Sequence, residues 1–166
     1  MILSLAGMKI LICALLGALL TVFAASCSAP KTNPAELLRD TTWSPMFLPG
    51  TKNLKIPNDA NNPVFIHFSK DYKICGMSGV NRFFGSCELE RKKLRRSECK
   101  VKWSAIGATK MAGEFMDYEA KFLEALNSTD TIRLSANHLE FLKGGKLLIE
   151  FKRIPNLNER NAESQE

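Results

Sequence analysis

Hydrophobic and polar residues follow two different periods along this chain. Val64-Phe65-Ile66-His67-Phe68 is a five-residue run of strand formers preceded by Asn61-Asn62-Pro63, and it predicts a strand. Ser69-Lys70-Asp71 then turns the chain into Tyr72-Lys73-Ile74-Cys75. Phe83 to Leu89 forms a third run, interrupted by Gly85, and Cys99-Lys100-Val101-Lys102-Trp103 alternates with period two. Further on come Thr131 to Leu134, then His138 to Leu142, a Gly144-Gly145 turn, and Lys146 to Phe151. Leu139 and Phe141, with Leu147, Ile149 and Phe151, occupy alternate positions, as a hairpin with one buried face requires. One segment has the other period. Phe115, Tyr118, Phe122 and Leu126 recur at spacings of three and four, widened by Met116, Leu123 and Ala125, while Glu119, Lys121 and Glu124 are assigned to the polar side. The pattern predicts an α+β fold: an antiparallel, barrel-like curved sheet of about seven to eight short strands with one amphipathic helix packed across it.

The start of the chain obeys neither period. From Ile10 to Ala25 no residue is charged, and these sixteen residues would make a helix of about 24 Å, short of a ~30 Å hydrocarbon core. Lys9 precedes the run and Ala24-Ala25-Ser26 closes it, the build of an export signal, with Met8 a more compact start than Met1. Cys27 follows directly, and Ala-Ala-Ser-Cys resembles the bacterial lipobox, in which cleavage between Ser26 and Cys27 accompanies acylation of the thiol. Ala24 stands where that motif most often has Leu. The expected organisation is a lipoprotein signal peptide over residues 1–26, a tether over 27–34, a folded domain over 35–153 and a disordered tail over 154–166. Several acyl chains, palmitate among them, hold a protein on a membrane essentially permanently. Ser28 after the cysteine, by resemblance to the Gram-negative sorting rule, favours the outer membrane. Plain secretion to the periplasm and an uncleaved anchor are the competing readings.

Composition excludes other classes. With 45% hydrophobic residues among 166, the chain can fill a core, so disorder throughout is excluded, and 10 Gly with 7 Pro is ordinary usage. The net charge of +6 is carried in part by the loop Arg91-Lys92-Lys93-Leu94-Arg95-Arg96. It has no interleaved aromatics, so nucleic acid is not the expected partner. A solvated turn is the plain reading, and contact of Arg91, Lys92, Lys93, Arg95 and Arg96 with anionic lipid or lipopolysaccharide the sharper one.

The segment Gly76-Met77-Ser78-Gly79-Val80-Asn81-Arg82-Phe83-Phe84-Gly85 resembles the signature of the META domain (HslJ-like) family, in which a Gly-rich turn leads into Asn-Arg-Phe and a Gly. Thr42-Trp43 resembles the family's opening strand, and Ala108 to Ala112 its Thr-Arg-Met segment before the helix. Leu134 to Leu139 resembles the penultimate hairpin, and Phe151-Lys152-Arg153 the last strand. The resemblance implies association with heat shock and the cell envelope, and no settled activity. Relatives usually carry Cys where this chain has Val80 and Gly113, which implies that these two positions are neighbours.

Candidate chemistry is thin. An exported chain can form disulfides, and Cys87–Cys99 is the preferred pair, because a hairpin centred near Lys93 sets them opposite, with Cys75–Cys87 the alternative and unpaired thiols the third reading. A thiol enzyme would need Cys75 activated by His67 and Asp71, its nearest His and carboxylate in sequence. With two His and no Cys-x-x-Cys pair, neither a metal nor another cofactor is expected. Gly76, Gly79, Asn81, Arg82 and Gly85 read as a turn between strands; since no helix follows, they are expected to lack the amide cradle of a phosphate loop. The chain is expected to be a non-enzymatic, lipid-anchored envelope protein with an interaction or stress-protection role. An apolar-ligand or lipid-binding module is the alternative, and a thiol enzyme the remote one.

Overall fold

Inward and outward positions alternate along several strands of the computed structural model, which describes residues 33–57, 63–90 and 97–156. In chain order the elements are α1 (Pro34–Leu38), β1 (Thr41–Phe47), β2 (Phe65–Phe68), β3 (Lys73–Met77), β4 (Arg82–Glu90), β5 (Glu98–Trp103), β6 (Gly107–Ala108), α2 (Met116–Ser128), β7 (Thr131–Leu134), β8 (His138–Lys143) and β9 (Lys146–Ile154). Every strand pairing is antiparallel. The order β3-β2-β1-β9-β8-β7-β5-β4 closes through a β3–β4 pairing into an eight-stranded barrel, with β6 added on β4. Closure leaves the barrel itself no free edge. β6 continues the line of β5: Trp103 lies opposite Cys87, Ser104 N donates to Ser86 O at 2.9 Å, and Gly107 lies opposite Phe84.

The barrel is filled by its own side chains. Trp43, Phe68, Phe83, Phe122, Phe141 and Phe151 are all under 2% exposed. Phe122 of α2 reaches the core, its ring 5.7 Å from Phe83 and 6.3 Å from Phe151 between centroids. Truncating such a ring to Ala costs roughly 3–5 kcal/mol. The α2 stripe therefore packs through Tyr118, Phe122, Ala125 and Leu126, with two departures from the expected pattern: Met116 is 41% exposed, and Glu119, only 5% exposed, belongs to the buried face.

The two ends of the barrel are closed differently. At one end the side chain of Asn33 caps α1 by accepting from Ala35 N at 3.1 Å, and Leu38 is fully buried against the core. Tyr72, at φ 60°, donates from its hydroxyl to Ala35 O and accepts from Arg39 Nε. β1 then carries the chain seven residues to the other end, about 23 Å at ~3.3 Å per residue. There α2 lies against the turn that follows β3.

Two boundaries differ from the sequence reading. The domain takes in Asn33 and Pro34 of the expected tether, because they supply a cap and a first helical residue to α1. At the far end Ile154 completes β9 opposite Thr42, and Asn156 donates from Nδ2 to Asp40 O at 2.7 Å, so the expected tail yields three residues to the domain. The Gly144-Gly145 turn stands as expected, both residues at positive φ, between Lys143 and Lys146.

Candidate functional site

The Gly-rich turn between β3 and β4 is held by a carboxylate from α2. Glu119 Oε2 accepts from Ser78 Oγ (2.8 Å), Val80 N (3.0 Å) and Asn81 N (2.6 Å), and its Oε1 accepts from Asn81 Nδ2 (2.7 Å). Asn81, 2% exposed, also binds the segment before the helix: its Oδ1 accepts from Thr109 Oγ1 and Met111 N, both at 2.7 Å, and its Nδ2 donates to Met111 O at 3.0 Å. One side chain thus ties β4, the 109–111 segment and α2 together. Burial pushes the Glu119 carboxyl up, but the donors on Asn81, Ser78 and Val80 together outweigh it and hold the group below its ordinary value. The turn was expected to lack an amide cradle, and this is corrected. Two successive amides do converge on an anion there, and the anion is Glu119.

The glycines of the motif serve close approach. A Cβ at Gly76 would meet Phe65 O at 2.0 Å, and Gly79, at φ 140°, lets the turn abut Phe115 and Glu119. Gly85 faces Ile106 at ordinary contact distance, while Arg82 points outward at the start of β4. Gly113 and Val80 are neighbours as the resemblance implied: a Cβ built on Gly113 lies 3.5 Å from Val80 Cβ, inside disulfide range.

The three described thiols are free, and the expected disulfides are corrected by register. The β4–β5 hairpin sets Cys87 opposite Trp103 and Glu90 opposite Lys100, so its centre falls two residues beyond Lys93 and Cys99 lies four positions along β5 from the partner of Cys87. Cys75 faces out from β3 while Cys87 faces in, which separates the alternative pair by the sheet itself. Burial pushes the Cys87 thiol up to about 12, with neighbouring Cys99 adding to it, and Cys99 up to about 11.

Cys75 does lie directly opposite His67 in the β2–β3 register. His67 Nδ1 is engaged by Thr42 Oγ1 at 2.9 Å, and its Nε2 stands 4.0 Å from Asp40, a residue the sequence reading did not select. Asp71 is not part of this row. It sits in the β2–β3 turn, where the Ser69 hydroxyl and Lys73 hold its carboxyl down to about 2. Partial burial pushes the Cys75 thiol up, opposite to what an activated nucleophile needs.

An open apolar cleft of about 540 Å³ lies at the α2 end of the barrel, lined by the end of β1, the loop after it and Tyr118. β1 carries a bulge here. Pro45 lies opposite Phe151 and Phe47 opposite Glu150, so Met46 is the extra residue, and both Met46 (49%) and Phe47 (51%) are exposed. Thr51 Oγ1 donates to Leu48 O at 2.7 Å and shapes the floor, while Ile56, 48% exposed, forms the opposite lip. Lys55 pairs with Glu114 and joins this loop to the start of α2. Nothing in the sequence alternation announced the cleft, because the bulge is what turns these side chains outward.

Ser26, Cys27 and the basic residues Arg91, Lys92, Lys93, Arg95 and Arg96 lie outside the described residues. Among the described residues no three His, Cys, Asp or Glu side chains are grouped to hold a metal ion, and no helix is long and apolar enough to cross a membrane.

A family model described as META domain matches residues 36–154. No curated protein matches the chain. Among solved structures, the chain resembles an NMR structure of a protein from Burkholderia xenovorans at TM-score 0.57 and 22% identity, over 75% of this chain and 90% of that one. A further NMR structure is similar at TM-score 0.50 and 21% identity, over 73% of this chain and 94% of the other. At such identities the likeness is one of fold.

Proposed function

This chain belongs to the META domain family, and from that membership we propose that it is a non-enzymatic, lipid-anchored protein of the bacterial envelope, held at the outer membrane through Cys27, with a role in interaction or stress protection. The observation that carries the reading is the polarity of the barrel. The described structure starts at Asn33, six residues after Cys27, and α1 lies at one end of the barrel. The connection bearing Arg91 to Arg96 leaves β4 and returns to β5 at that same end, since Ser97 O accepts from Leu134 N and α1 touches β5 and β7. A lipid on Cys27 and the basic residues Arg91 to Arg96 would together supply the two signals that stabilise attachment to a membrane.

A non-catalytic role is supported by how the polar groups are used. The carboxylate of Glu119 is saturated within the fold, Cys87 and Cys99 are core residues, and the ring of His67 is held by Thr42.

The test is metabolic labelling with an alkyne-bearing palmitate, followed by fractionation of envelopes. The wild-type chain should carry label and stay with the outer membrane until detergent is added. Cys27→Ala should carry no label and should either stay unprocessed or move to the soluble fraction. A correctly cleaved Cys27→Ala chain retained as strongly as wild type would overturn the anchor.

A further inference from the structure

The core of the barrel is packed by its own side chains, and the apolar surface left exposed among the described residues is not evenly spread. Of the seven large hydrophobic residues exposed among the described residues, three, Met46, Phe47 and Ile56, line a cleft at the α2 end. Its volume of about 540 Å³ falls within the ~300–1,000 Å³ of small-molecule sites. Its walls are Pro45, Leu48 and Pro49 besides the three exposed residues, with Tyr118 closing the helix side. Exposed apolar side chains gathered in this way mark a binding surface rather than the scattered apolar residues of any soluble face.

We propose that this cleft binds the single hydrocarbon chain of an anionic amphiphile, a long-chain fatty acid, with its carboxylate at Lys52. The charge pattern selects this occupant. Lys52 is the charged residue of the lining, it is exposed, and among the described residues it makes no ion pair, whereas the neighbouring Lys55 is held by Glu114. No acidic residue is among the described residues that line the cleft. A chain lying along Phe47, Met46 and Ile56 ends beside the Lys52 ammonium group, which favours an anionic head over a cationic one. The backbone devices support a formed site. The bulge at Met46 and the Thr51–Leu48 hydrogen bond fix wall and floor within the chain itself. The site is independent of the anchor, since its residues lie at the barrel end remote from Asn33.

The full-length chain in phosphatidylcholine nanodiscs is irradiated with a diazirine-bearing palmitate, and adducts are mapped by peptide mass spectrometry. Adducts should concentrate on the peptides carrying Met46 to Ile56 and Tyr118. Unlabelled palmitate should compete about tenfold better than hexadecylammonium of the same chain length. Phe47→Asp should remove most cleft adducts while circular dichroism stays unchanged, because the side chain lies outside the core. Lys52→Glu should keep adducts from the cationic analogue and lose those from the fatty acid. Four results would overturn the proposal: adducts spread evenly along the chain; equal competition by the two amphiphiles; equal cleft labelling by a diazirine phospholipid of the nanodisc, which would make the face a bilayer contact; or cleft-to-cleft crosslinks between two copies of the chain.

Discussion

Glu119 and Phe47 occupy the same end of the barrel, on either side of Tyr118, and their surroundings are opposites. Around Glu119 a charged group has been taken almost fully out of water, and both of its carboxylate oxygens accept from donors on Ser78, Val80 or Asn81. Around Phe47 apolar groups are left about half exposed among the described residues. A buried polar group is tolerated only when its hydrogen bonds are complete, so completeness marks the first region as architecture. An apolar group in water is tolerated at small cost and gains when something covers it, so the second region is free to bind. The residues of the family motif thus fasten the α2 end, through Asn81, Ser78 and the turn amides on Glu119.

The sharpest way to break this contrast is to remove the carboxylate. Glu119→Ala leaves Ser78, two turn amides and the Asn81 amide without their acceptor, and should lower stability by roughly 3–5 kcal/mol, measured by denaturant unfolding. The same carboxyl predicts the pH dependence. Its folded value lies below the ordinary 4.5, so the bond network contributes its full stability above that value and loses it as pH falls through the folded one. Unfolding midpoints should drop on acidification below about pH 4.5, and the drop should be smaller in Glu119→Gln; equal acid limbs in the two proteins would mean that the carboxylate is not the group responsible.

A second experiment sharpens the contrast by strengthening the joint. Val80→Cys with Gly113→Cys should close a disulfide, since the two Cβ positions are 3.5 Å apart and Gly113 is not in the left-handed region. For a loop of about 34 residues the chain-entropy model gives a gain of about 3–4 kcal/mol under oxidising conditions. Free thiols in the oxidised double variant, by mass spectrometry, would contradict the contact. The smallest effect belongs to the cleft. Phe47→Asp should change unfolding free energy by no more than about 0.5 kcal/mol, as exposed positions do. A large loss would place Phe47 in the fold's own packing.

Much of this architecture was legible beforehand. Strand alternation around Phe65, Cys99 and Phe151, the Gly144-Gly145 turn and the 115–126 stripe are local signals, and the hydrophobic effect enforces them wherever one face is buried. Glu119 was legible in principle: it stands four residues after Phe115 and three before Phe122, on the apolar stripe, yet its charge argues for the opposite face. Only the arrival of the β3–β4 turn against α2 makes that position habitable. The cysteine pairing failed on a shift of two residues in the centre of the β4–β5 hairpin, which local sequence does not fix, because register depends on which side chains the closed barrel admits.

By itself, then, the sequence determined the period of the main strands and of the long helix, and most of the residues that must be inside, since these follow from where water is excluded along a local stretch of chain. Tertiary structure decided the rest: that the sheet closes, that the Gly-rich turn cradles a carboxylate from a helix 38 residues away, and that a one-residue bulge in β1 leaves Met46 and Phe47 in the open. Each of these is a meeting of segments distant in sequence, and its free energy exists only once both partners are in place.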